Sequence, residues 1–171
     1  METVASRRNT LENRANQLTP ETASRYAWWS WATLLLAPFA LFLFVAYRLM
    51  DDAGSPRNQS GAHAWFIGTM AYLAVVVPIT FFYRSRCFAA YWKGKTVAPA
   101  DYLRGNLAVW IALEIGGILA LVGCLMTDAL LPCILPALAA FMFFVPLWPS
   151  GTAMVRASGQ HEDTGRYEEP R

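Results

Sequence analysis

The sequence predicts an all-α integral membrane bundle of four transmembrane helices, with both ends in the cytoplasm. Three observations carry that expectation. Of 171 residues, 56% are hydrophobic and only 15% charged, where a soluble domain is nearer about half apolar and a quarter charged. The apolar residues gather into four stretches almost free of charge, at about 27–50, 64–83, 103–126 and 129–148. Lys and Arg fall between those stretches with a one-sided bias. Four crossings use roughly 80 residues, so this chain has no room for a Rossmann-type or TIM-type enzyme or a separate soluble catalytic domain. A net charge of +2 is too small to point to nucleic acid as a partner.

Residues 1–24 are polar and read as a cytoplasmic tail, 25–149 as the transmembrane domain, and 150–171 as a disordered cytoplasmic tail rich in Gly, Ser, Glu and Arg. Thr19, Pro20 and Glu21 supply a cap, a proline for the first helical position and a first-turn acid. The first helix is therefore expected to begin in the tail and run into the bilayer. It is entered through Trp28, Trp29 and Trp31 and left through Tyr47 and Arg48, residues that settle at the headgroup layer. A span this long behind a polar lead reads as a retained anchor, not a cleaved signal peptide.

Pro99 and Asp101 mark the start of the third span, and Thr127 with Asp128 the start of the fourth. That leaves a very short connection, so spans three and four are expected to be antiparallel neighbours. Pro38 and Pro78 lie inside spans, and Pro132, Pro136 and Pro146 in the fourth. In lipid these are expected to kink the helices without breaking them.

Orientation follows from the cations. Arg7, Arg8, Arg14 and Arg25 precede the first span, Arg84, Arg86, Lys93, Lys95 and Arg104 lie around the second connection, and Arg156, Arg166 and Arg171 end the chain. Only Arg48 and Arg57 fall on the other side. The positive-inside rule puts both termini in the cytoplasm, as expected of a multi-pass protein of a bacterial inner membrane. On the outer side, His63 reads as interfacial, and Asp51 and Asp52 as solvated.

Glu114 is the one acid deep inside a span. A charged carboxylate there costs several kcal/mol, so it must be neutral, paired or next to water. It is a candidate proton or cation site, or else a structural clip between helices worth about 1 kcal/mol. Around it Ala108, Ala112, Gly116 and Ala120 recur every four residues, with Gly117 and Gly123 beside them. Small side chains let helices approach closely, so these residues form a packing seam, either against the fourth span or against another subunit.

The run from Ile111 to Gly123 resembles the ion-carrying second helix of the ATP synthase proteolipid (subunit c) family, in which a mid-membrane carboxylate sits among small residues after a basic loop. Over about 25 residues the resemblance implies ion or proton carriage at Glu114. Span two departs from that family, carrying Gly68 in place of a glycine-repeat helix, and four spans replace two. More broadly, the chain resembles small uncharacterised bacterial four-span membrane proteins with a Glu in span three and a fourth span rich in Phe and Pro. Phe141, Phe143, Phe144, Pro146 and Pro149 carry that likeness, which implies a fold and no activity.

In the second connection, Phe88, Tyr91 and Trp92 share one face of any helical extension of span two, flanked by Arg84, Arg86, Lys93 and Lys95. This pattern suits the headgroups of an anionic leaflet, each cation adding about 1 kcal/mol, or a docking surface for a partner subunit. Gly94 is a natural helix end. Cys87, Cys124 and Cys133 form no CxxC pair and fit no zinc spacing, so no metal site or cofactor is expected. Cys124 and Cys133 flank the tight connection, either as a disulfide or as two small apolar thiols.

No HExxH, GxSxG, P-loop or GxGxxG is present. Asn9 to Glu12 spells the Asn-x-x-Glu of four-span glutathione-dependent enzymes, but before the first span instead of in the second. The leading expectation is a non-enzymatic accessory or interaction protein, packed with other membrane subunits or with copies of itself. The alternative is a small proton- or cation-translocating protein using Glu114, and a third is a membrane enzyme with a buried site.

Overall fold

Pro20 opens the first helix where its missing N–H has no partner to lose, and the Thr19 hydroxyl accepts the Thr22 N–H at 3.3 Å. In the computed structural model, which describes residues 19–51 and 59–155, this helix, α1, runs Pro20–Asp51. At 1.5 Å per residue it is about 48 Å long. Helix α2 is Gln59–Cys87, followed by a turn at Phe88 and a single helical turn, α3, Ala89–Trp92. Gly94, at φ 71°, ends it in the left-handed conformation that glycine adopts without strain. Helix α4 is Pro99–Thr127, with Pro99 at its first turn. Among the described residues no strand occurs, and four helical segments are long and apolar enough to cross a membrane.

The fourth segment differs from expectation. Thr127 and Asp128 close α4 and do not open its successor. The Thr127 hydroxyl donates to the Gly123 carbonyl at 2.7 Å, and Asp128 takes the left-handed conformation, φ 48°, that ends a helix. Turns follow, the Leu131–Pro132 peptide is cis, and α5 begins only at Ile134. It stops at Phe144, because Pro146 has no N–H for another α-helical bond, and Val145–Leu147 tighten into a 3₁₀ turn. Pro146 thus breaks the segment where only a kink was expected. A last turn, α6, spans Thr152–Val155.

Helix α4 is the hub on which α1, α2 and α5 pack. Over its membrane stretch 56% is buried, against 17% for α1 and 11% for α2. Trp110, Val109, Leu113 and Leu121 are at most 1% exposed. Lipid is as apolar as these side chains, so close packing and polar contacts between helices hold the bundle. The Tyr72 hydroxyl donates to the Ala112 carbonyl at 3.3 Å, joining α2 to α4. Trp31 Nε1 donates to the Phe144 carbonyl at 3.4 Å and Trp110 Nε1 to the Leu147 carbonyl at 3.2 Å. Those two bonds catch carbonyls that the broken α5 leaves over.

Both described ends of the chain lie at the same end of the bundle as the basic connection. Trp28 on α1 meets Trp148, with ring centroids 6.4 Å apart. Residues 150–155, expected to belong to a disordered tail, are instead docked as a strap. The Gly151 N–H donates to the Tyr102 hydroxyl at 3.1 Å, the Val97 N–H donates to the Ala153 carbonyl at 2.9 Å, and Met154 is 5% exposed. Residues 20–24, placed in the N-terminal tail, are the first turn of α1. Arg7, Arg8, Arg14, Arg57, Arg156, Arg166 and Arg171 lie outside the described residues, as does Asp52.

Candidate functional site

The small residues around Glu114 are brought together inside this chain. A Cβ built on Gly116 runs into the Leu73 methyl of α2, and one on Gly123 comes within 3.1–3.2 Å of Trp65, also on α2. On the other side, a Cβ built on Gly117 would lie 3.8 Å from the Cβ of Ala140 of α5. Ala112 and Ala120 are buried, and Ala108 is half-buried. The seam therefore closes on both α2 and α5, two neighbours where span four alone was named as the internal one.

Glu114 is half-buried on the α1 and α5 side of the hub. It shares a space of about 10 Å³ with Pro38 of α1 and Gly117, Ala137, Phe141 and Phe144, roughly one water's worth of room. Among the described residues nothing hydrogen-bonds to its carboxyl or pairs with it. Pro38 also leaves the Leu34 carbonyl without its intrahelical donor one turn back.

The aromatic and basic residues of the second connection divide into two groups. Helix α2 ends at Cys87, and Phe88 occupies a turn, so the three aromatics do not continue on one helical face. Phe88 is 9% exposed, 5.7 Å from the Tyr102 ring, and belongs to the core instead of the surface. Arg84 is also drawn inward. Its Nε donates to Asn106 Oδ1 at 3.0 Å, and its guanidinium lies 4.8 Å from the Phe88 centroid. Arg86, Trp92, Lys93 and Lys95 remain exposed, with Arg86 over the Phe82 ring at 4.9 Å and Tyr91 edge-on to Trp92.

Cys124 and Cys133 are free and buried. Cys133 Sγ donates to the Ala62 carbonyl of α2 at 3.3 Å, and Cys124 Sγ to the Leu130 carbonyl at 3.8 Å. They are packing thiols. His63 turns back onto the Gln59 carbonyl of its own helix. Among the described residues no three His, Cys, Asp or Glu side chains cluster for a metal ion.

Two features emerge only in three dimensions. The first is a shallow apolar groove on α2, of about 280 Å³, lined by Ala64, Trp65, Gly68, Thr69 and by Leu119 of α4. A Cβ on Gly68 meets nothing within 4 Å. The spacing of Ala64, Gly68 and Ala71 is the signal that marks this face. The second is a polar cavity of about 310 Å³ at the basic end, where α2, α4 and the strap meet. Its residues are up to 69 positions apart in the chain, from Arg84 to Ala153, so no local motif announces it.

Four apolar helical segments, three of them gathered on the fourth along a seam of small residues, define a multi-pass α-helical membrane protein. No protein-family model matches the chain, and no curated protein or solved structure is similar to it.

Proposed function

We propose that the protein is a non-enzymatic accessory or interaction subunit of a bacterial inner membrane, which packs its α2 face against a helix of another subunit or of a second copy. The observation that carries this reading is the open groove at Gly68. On α4 every glycine of the seam faces a neighbouring helix, whereas on α2 the small residues Ala64, Gly68 and Ala71 are exposed. Small residues lower contact with lipid and allow close helix approach, so such a face gains most from a partner helix. Replacing Gly68 by Leu is expected to leave the fold intact, because a Cβ there meets nothing within 4 Å and the rest of the side chain has the open groove to enter, and to abolish association. Native electrophoresis after mild detergent extraction checks this. A wild type that runs as a lone monomer, or a Gly68→Leu variant that still assembles, counts against it.

A second reading, proton or cation passage by way of Glu114, is favoured by a mid-span carboxyl with no partner among the described residues. Against it stands the space beside the carboxyl, about 10 Å³, too small for a hydrated ion. If Glu114 carries ions, Glu114→Gln abolishes flux into liposomes and protects against carboxylate-directed carbodiimide. Equal flux from both proteins, or none from the wild type, removes it.

A further inference from the structure

The polar cavity at the basic end holds one guanidinium and several hydroxyls, and no carboxylate lines it. Arg84 is its centre. Asn106, 3% exposed, is fixed by its own Nδ2 donating to the Tyr102 carbonyl at 2.9 Å, and its Oδ1 then takes the Arg84 Nε–H at 3.0 Å. With the Phe88 ring against it at 4.8 Å, the guanidinium is held from its edge and its face. A guanidinium has five N–H groups, and this arrangement uses only the Nε–H. Among the described residues no carboxylate pairs with Arg84, and none lines the cavity.

The remaining polar wall has the same character. The Tyr102 hydroxyl accepts the Gly151 N–H at 3.1 Å, which leaves its own proton to donate. The Ser150 and Thr152 hydroxyls share one hydrogen bond, 3.1 Å long, so one O–H of the pair stays available. A half-buried cation held in place and facing several hydroxyl donors is the complement of a compact oxyanion. Planar forks of this kind bind phosphate with paired N–H···O bonds. Trp92 and Trp148, 73% and 54% exposed, stand at the rim, and such rings settle at headgroup depth.

We propose that this cavity binds the phosphate group of an anionic ligand, with Arg84 as the anchoring cation and Tyr102, Ser150 and Thr152 as hydroxyl donors. The rim tryptophans favour an anionic phospholipid headgroup over free phosphate as the source. Binding this group ties the end of α2 to the strap, independently of how the helices assemble with partners.

The full-length protein in mild detergent is titrated with phosphatidylglycerol, with phosphatidylcholine and, separately, with inorganic phosphate. Native mass spectrometry counts adducts, and calorimetry follows the free anion. One phosphatidylglycerol per chain is expected to persist where phosphatidylcholine does not. Arg84→Gln is expected to weaken it about tenfold or more, the scale of one lost charge-assisted bond. Arg84→Lys, which keeps the charge without the fork, is expected to weaken it less. Thr152→Val removes one donor on the strap and is expected to cost a few-fold without touching α2 or α4, so it reports even if the Arg84 variants fold poorly. Arg86→Gln, an exposed cation two residues on, is expected to retain binding. Saturable binding of inorganic phosphate without lipid preference supports the site with a soluble source. No binding of either probe overturns the proposal, as does equal loss from Arg84→Gln and Arg86→Gln, which would mean only diffuse surface charge.

Discussion

Gly123→Leu is expected to force α2 away from α4 and to lower the thermal midpoint sharply. A Cβ at position 123 already lies within 3.1–3.2 Å of the Cβ, Cγ and Cδ2 of Trp65. Those atoms belong to the root of the side chain and the near edge of its ring, so they cannot swing aside as a terminal methyl does. Overpacking of this kind costs about 1–3 kcal/mol, and a residue as large as Leu belongs at the upper end. A second readout locates the damage. Cys133 is 1% exposed and bonded to the Ala62 carbonyl of α2, so a maleimide that spares the wild-type thiol is expected to label it once the seam opens. An unchanged midpoint with a silent Cys133 would mean that α2 does not depend on this contact.

Trp110→Ala is expected to match or exceed that loss. The indole is fully buried on the hub, and its Nε1 holds the Leu147 carbonyl at 3.2 Å, where α5 has already broken. In a soluble core such a truncation costs about 3–5 kcal/mol. Lipid removes part of the transfer contribution, so about 2–4 kcal/mol is the expectation here. Trp110→Phe separates the two roles, because it removes the N–H, worth about 0.6 kcal/mol, together with a few ring atoms, while keeping most of the packed volume. Thermal midpoints of the three proteins in one detergent check the order. Equal losses from Phe and Ala would assign the role to the hydrogen bond and not to packing.

Features that depend on neighbouring residues were legible from the sequence. Thr19-Pro20-Glu21 and Pro99 open helices as their chemistry requires, Gly94 ends one, and the first three apolar runs each lie inside a single long helix. Thr127-Asp128 shows why local signals fail. A small hydroxyl residue beside an acid is compatible with either end of a helix, and only the left-handed turn at Asp128 decides between them. The order of the strap depends on Tyr102, a partner 49 positions away, so its own composition reads as tail. Arg84 resembles its neighbouring surface cations in sequence, and Asn106, 22 positions on, is what draws it inward. The spacing of the small residues near Glu114 marks a seam, yet its partners are set by where α2 and α5 lie. Gly68 stands in the sequence only as a lone glycine without a repeat, since an open face is a property of the assembled bundle.

The shortness of α5 bears on the surrounding membrane. Its 11 α-helical residues and three 3₁₀ residues rise about 22 Å, against a hydrocarbon thickness of about 30 Å, while α1 on the same bundle exceeds that thickness. The annulus of lipid beside α5 must therefore compress, or water and headgroups must dip toward the Asp128–Cys133 turn. Each ångström of hydrophobic mismatch costs a fraction of a kcal/mol, so shorter-chain lipids should collect on that flank. The expected outcome is a bilayer deformed unevenly around the molecule, pinched on one side only.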